Sequence, residues 1–387
     1  MSLAQDLWLS RKPLAGFVTI GAAWAVYFAQ MPVIKQAIGA SDGVYGMVVL
    51  LASCGALAAM WLAPLANRLL GRWVLPVSAL MVACGMWLTG AAGSIWFFGL
   101  AMTLAAVGSG ILDVLINVRV SEAEERIGRP LMNLNHAIYS FAYAGAALST
   151  GLLREEAWRP VEIFGLLLGL VVVLAWIMRE KRLHGEPPAP AVAAGSFPGA
   201  LVFLGGLLVL VAFLTESSAE GWSALHLERT LGGGAAEGAL GPAILGLTMG
   251  TGRLAGHFLS RHLPDIKLMT AAALMAAAGL AIAGAAPTIW VAYLGFGLGG
   301  LGVSVIAPLA LALIGRLVPA QARLAAISRA SVMGYGAFFL GPPLMGLTSE
   351  AFGLRTGFFL VAGLLVLASL VLLPALARAS AARTARS

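Results

Sequence analysis

Charge is scarce in this chain. Asp, Glu, Lys and Arg make up only 11% of its 387 residues, where a soluble globular domain carries about a quarter, and the mean hydropathy is +0.92. That excludes a soluble domain and makes a lipid bilayer the expected surroundings. Cysteine is nearly absent too. Cys54 and Cys84 both lie inside apolar runs, where a thiol is a small buried hydrophobe, so a disulfide framework and a thiolate metal site are excluded. No CxxC, HExxH, G-x-S-x-G or Walker-type loop occurs in the sequence, so neither bound ATP, a metal, another cofactor nor enzymatic catalysis is expected. The basic excess, +7 with a pI near 9.8, does not indicate nucleic acid. The basic residues fall between apolar runs, where they report orientation in a membrane. The opening MSLAQDLWLSRKPLAG has no small-residue cleavage pattern behind its apolar run and reads as a retained lead into the first span.

What is present is a succession of long apolar runs. Taking about 20 residues per span, there are twelve, at 13–38, 43–66, 73–91, 94–119, 131–153, 160–178, 199–226, 238–258, 267–285, 289–315, 324–350 and 354–377. Between the sixth and seventh lies REKRLHGEPPAPAVAAGSFPG, charged and then rich in proline and alanine, the pattern of a linker. The expected organisation is an N-terminal six-helix bundle at 1–178, a cytoplasmic linker at 179–198 and a C-terminal six-helix bundle at 199–387. Twelve spans put both termini on one side. Nineteen of the 24 Lys and Arg fall on that side, and five (Lys35, Arg154, Arg159, Arg229 and Arg355) on the other, so the positive-inside rule places the termini in the cytoplasm.

The halves repeat one another. GSGILD in span four aligns with GLGVSV (Gly300 to Val305) in span ten, and LNHAIYSFAYAGA in span five with ISRASVMGYGAFF in span eleven. Parallel six-helix repeats of this kind bind cargo near the midplane, between the halves. The fold class is therefore an all-α membrane protein of twelve transmembrane helices in two pseudo-symmetric six-helix bundles.

Ionisable residues inside spans are the strongest functional signal, because each costs about 2.5 to 3.5 kcal/mol on insertion scales. Asp113 and Asn117 stand four apart in span four and so share a helix face. After a charged hinge at 119–129, span five presents Asn133, His136, Ser140 and Tyr143 at helical spacing, with Tyr139 among them. His136 is the expected partner of Asp113. Glu216 lies as far into span seven as Gln30 lies into span one, which makes them repeat counterparts on one cavity. Trp24, Tyr27 and Trp222 would extend that cavity as a polar and aromatic wall; Glu220 is a candidate for the same wall but reads better as a residue at the outer membrane surface. Arg329, the repeat counterpart of His136, could bind an anionic cargo or pair with Asp113, or could extend to the headgroups.

Three segments carry a family resemblance: AWAVYFAQMPVIKQAIGASDGVYG in spans one and two, GILDVLIN with EERIGRPLMNLNHAIYSFAYAGA in spans four and five, and TESSAEGWSALHL in span seven. They resemble the major facilitator superfamily and, within it, the fucose-permease-like branch with its sugar- and rhizopine-permease-like proteins. The resemblance covers essentially the whole chain. It implies the major facilitator fold, a monomer in the bacterial inner membrane, and alternating access coupled to protons, with the span-four carboxylate Asp113 as proton carrier. His136 and Glu216 would complete the coupling set. Trp24, Tyr27, Gln30, Asn117, Asn133, Tyr139, Tyr143, Glu216 and Arg329 would hold the cargo, a small polar metabolite such as a sugar, polyol or inositol-like compound. The alternative is proton-driven export of amphipathic compounds. One departure stands out: Asn67 replaces the Asp usual in the family's second-to-third loop, removing the acid on which a charge-relay latch there depends.

Overall fold

The computed structural model describes residues 3–128, 131–180, 199–260 and 262–384, and every regular element among them is helical. The first six are α1 (Leu3–Ala37), α2 (Asp42–Leu70), α3 (Val74–Gly90), α4 (Ile95–Ile127), α5 (Met132–Glu155) and α6 (Pro160–Met178). Then follow α7 (Gly199–Leu225), α8 (Ala235–Leu259) and α9 (Asp265–Ala285). The last three spans are each interrupted. The tenth is α10 (Ile289–Val303) with α11 (Ile306–Leu317), the eleventh α12 (Ala320–Tyr335) with α13 (Ala337–Phe352), and the twelfth α14 (Leu354–Leu367) with α15 (Leu373–Thr384). Among the described residues ten helical stretches are long and apolar enough to cross a membrane. The two that complete the twelve, α5 and α8, are 24 and 25 residues long. They carry many glycines, hydroxyls and the residues Asn135, His136 and Arg253.

Local chemistry sets the ends. The Ser41 and Ser94 hydroxyls accept from the Val44 and Phe97 amides at 3.3 Å and so open α2 and α4. Gly128 closes α4 in the left-handed conformation at φ 69°, where a side chain would be strained. The charged segment expected as a hinge is in fact the end of α4: Arg119 to Ile127 continue the helix. A helix of 33 residues is about 50 Å long, against about 30 Å of hydrocarbon, so its charged turns lie beyond the bilayer core. The lead before the first span is likewise helical from Leu3.

The chain forms two compact units. One holds α1 to α6 with Gly233–Ala243, the other α7 and the chain from Ile244 onward. In the first, α1 packs on α5, α2 and α3 on α4, and α3 on α6; in the second, α7 packs on α12 and α13, and α9 on α10 and α14. Span one on five is thus repeated as seven on eleven, and three on four as nine on ten. Glycine makes both three-on-four contacts possible. A Cβ on Gly108 would lie 2.8 Å from the Val82 amide nitrogen, and one on Gly302 would lie 2.5 Å from that of Ala276. Large apolar side chains face outward, as a lipid-facing surface requires. Trp96 (79% exposed) and Trp290 (73%) mark the first turns of spans four and ten, where interfacial tryptophan is favoured.

Candidate functional site

On α4, Asp113 and Asn117 share a face as their spacing predicts. The Asn117 amide donates to the Asp113 carboxylate at 3.2 Å and to its carbonyl at 2.8 Å. The carboxylate is therefore held by its own helix. On α5 the His136 ring packs edge-on against Phe17 of α1, centroids 4.8 Å apart. The Asn133 side chain lies outside the described residues. Tyr139 and Tyr143 lie with ring centroids 6.2 Å apart, and Tyr143 is buried with Ala25, Ala147 and Ala243.

On α1 the aromatic residues expected to form a wall are packed against their neighbours. Trp24 donates from Nε1 to the Ser109 hydroxyl of α4 at 3.0 Å and stacks on Phe28. The Tyr27 and Tyr45 hydroxyls share a hydrogen bond, both rings being buried. Gln30 is fully buried, and neither end of its amide has a hydrogen-bond partner among the described residues. Next to it, Pro32 lacks the N–H that would close the helical bond to Phe28, and Arg154 of α5 donates to the Ala29 carbonyl at 2.6 Å. At the following turn Lys35 pairs with Asp42 of the SDxxxG segment at 2.8 Å.

In the second unit Glu216 has a partner that sequence reading missed. Arg253 of α8, counted among the topology-setting charges, brings its guanidinium to 3.6 Å from the Glu216 carboxylate. Glu220 is half-buried, Trp222 is buried and Arg329 is exposed. Two further groups have surroundings that the sequence does not indicate. His226, where α7 widens into a π-turn, is fully buried and donates from Nε2 to the Ala283 carbonyl at 3.0 Å, edge-on to Phe358. Arg119, expected in a solvated hinge, is buried at the ends of three spans. It binds Glu180 at 2.9 and 3.3 Å and the Asn67 side-chain oxygen at 2.9 Å. At the loop where Asn67 replaces the usual acid, its amide oxygen accepts from Arg119, and the carboxylate on that arginine comes from Glu180, beyond α6. Of the first two residues assigned to the linker, Arg179 is exposed and lies over the Trp73 ring at 4.5 Å, and Glu180 is buried. The remainder, 181–198, lies outside the described residues.

Two six-helix repeats, twelve spans and carboxylates held inside them define a polytopic membrane transporter of small molecules. The comparisons make the class specific. The Major Facilitator Superfamily model matches residues 14–293 and 206–386, and the chain belongs to that family. Relatives include an uncharacterized transporter of Sinorhizobium fredii, 29% identical with 95% of this chain and 97% of the relative covered, and membrane protein MosC of Rhizobium meliloti, 26% identical with 88% and 83% covered. Among solved structures, a D-xylose-proton symporter superposes with a TM-score of 0.76 at 15% identity, covering 96% of this chain and 97% of that one. A bacterial homolog of the lysosomal transporter Spinster, inward-facing and unoccupied, gives 0.75 at 16% identity with 99% of each chain covered. At such identities the likeness speaks to the fold.

Proposed function

We propose that this chain is a monomeric secondary transporter of the inner membrane that moves a small polar metabolite, a sugar, polyol or inositol-like compound, by alternating access coupled to protons. The observation that carries the reading is Asp113, an acid inside a spanning helix whose hydrogen-bond donor, Asn117, is neutral and on the same helix. With no fixed counter-charge among the described residues, such an acid can bind and release a proton, and an intramembrane acid marks a proton or substrate path. The resemblance to fucose-permease-like proteins and the fold shared with a D-xylose-proton symporter support polar cargo. So does the unsatisfied amide of Gln30, since a buried hydrogen-bonding group favours a ligand that pairs with it. His136 and Glu216 belong to the coupling set. Trp24, Tyr27, Asn117, Asn133, Tyr139, Tyr143 and Arg329 are assigned to the cargo path. The halves are 1–178 and 199–387, the linker 179–198, and both termini are cytoplasmic.

The aromatic cluster of Phe213, Tyr335 and Phe338, with centroids 5.8 to 6.0 Å apart, favours the other reading, export of amphipathic compounds. Thermal stabilisation of the purified protein separates the two, because a ligand of the native state raises its apparent Tm. Sugars, polyols and inositols are expected to raise it and lipophilic cations to leave it unchanged. The reverse pattern would make the chain an exporter.

A further inference from the structure

The pair formed by Glu216 and Arg253 is built unlike the buried pair of Arg119 and Glu180. Arg119 and Glu180 make two hydrogen bonds, at 2.9 and 3.3 Å, with side chains only 4% and 3% exposed. Glu216 and Arg253 approach no closer than 3.6 Å and are 24% and 34% exposed, whereas a charge-assisted N–H to carboxylate bond spans about 2.7 to 2.9 Å. Among the described residues neither group has another partner. A guanidinium brings five N–H donors in a planar fork, so most of its capacity is unused.

Its position is not that of a headgroup anchor. Arg253 is six residues from the end of α8, close enough to extend to the membrane surface as long basic side chains do. Instead it turns to Glu216, seventeen residues into α7 and about 25 Å from the start of that helix. The helix that carries it is fixed: Gly252 and Gly256 press against Ser304 and Val305 of the tenth span, where a Cβ would collide. A charge held inside a span by rigid backbone, and only loosely satisfied, is organised to receive a ligand.

We propose that Arg253 is a docking residue for a carboxylate carried by the cargo, and that Glu216 is the internal group occupying it while the site is empty. This rests on the transporter reading above and narrows its substrate to small hydroxylated acids of the sugar-acid type. The cargo carboxylate takes the guanidinium fork in two parallel hydrogen bonds, a geometry the present pair does not reach. The displaced Glu216 carboxylate, already a quarter exposed, turns to water.

The test uses the full-length purified protein and matched probes, glucose against glucuronate and inositol against quinate, with apparent Tm and calorimetric Kd as readouts. The acids are expected to bind and their neutral counterparts to bind at least tenfold more weakly. Glu216→Gln removes the competitor and should tighten acid binding at least tenfold. Arg253→Gln should weaken it at least tenfold, with Arg253→Lys between the two. Should Arg253→Gln fail to fold with Glu216 unpaired, the Glu216→Gln/Arg253→Gln double variant removes both charges and must still lose the response to acids. If Glu216→Gln weakens acid binding or leaves it unchanged, the masking role is wrong. If neutral polyols bind as well as acids and survive Arg253→Gln, the carboxylate site is wrong while polar transport stands. If only lipophilic cations bind, both readings fall.

Discussion

Replacing Glu180 with alanine leaves the buried Arg119 guanidinium with the Asn67 amide oxygen at 2.9 Å and, as its remaining charged neighbour, the Glu122 carboxylate at 3.6 Å. Both members of the ion pair are more than nine-tenths buried. Water therefore cannot take over the lost carboxylate without opening the packed ends of α2 and α4. Breaking a buried pair by removing one partner costs about 3 to 5 kcal/mol, mostly the penalty of the stranded charge, and the Glu122 carboxylate at 3.6 Å holds the loss here to the lower end of that range. Asn67→Ala removes one bond to a charged group, about 1.5 to 3 kcal/mol. Arg119→Met with Glu180→Leu removes both charges and should recover most of the loss, because apolar replacement of a buried pair is often neutral. Equilibrium unfolding by SDS in mixed micelles, read by circular dichroism, measures all three. Glu180→Ala unfolding at the wild-type denaturant concentration would show that the pair contributes nothing, and a double variant no more stable than Glu180→Ala would show that the stranded charge is not the cause of the loss.

Gly302→Ala should cost about 1 to 3 kcal/mol in the same assay, since its methyl meets the Ala276 backbone and nothing flexible can move aside; unchanged unfolding would show the contact is slack. Gln30→Leu should leave stability equal to wild type or better, because the amide it removes has no partner among the described residues, while transport falls; a large loss of stability would mean the amide is satisfied. Cysteines introduced one at a time in cysteine-free protein should report 181–198 as inaccessible from outside intact cells and Ala157 as accessible, and labelling of the linker from outside would overturn the orientation.

The spans were legible because the bilayer imposes a coarse and strong rule, about 20 apolar residues each, that composition alone satisfies. The shared face of Asp113 and Asn117 was legible for a similar reason: it depends on helical period and on no other part of the chain. What could not be read was contact across sequence distance. Arg119 and Glu180 are 61 residues apart; nothing local to LINVRVSEAEER distinguishes a buried arginine at a helix end from a solvated one. Arg253 was misread because a basic residue near a span end usually reports topology, and only the packing of α8 shows it facing Glu216. The break at Ser304 and Val305 and the π-turn at His226 left no mark in hydropathy, since both occur among residues that favour a continuous helix. The register between the halves was slightly off as well. Gly108 and Gly302 make the equivalent contacts on spans three and nine, two residues from the Gly108 and Gly300 alignment.

Coupling of protons to the movement of a small polar cargo is proposed to run through Asp113. Proteoliposomes loaded at a higher pH than the bath, and supplied with a labelled hydroxylated compound that passes the thermal screen, test it directly. Wild-type protein is expected to accumulate the compound above its outside concentration and to lose that accumulation on adding a protonophore. Asp113→Asn should exchange labelled for unlabelled compound across the membrane without accumulating it, because the substitution removes the proton-binding group and keeps a hydrogen-bonding side chain of the same shape. Accumulation by Asp113→Asn equal to wild type, or wild-type accumulation indifferent to the proton gradient, would contradict the account.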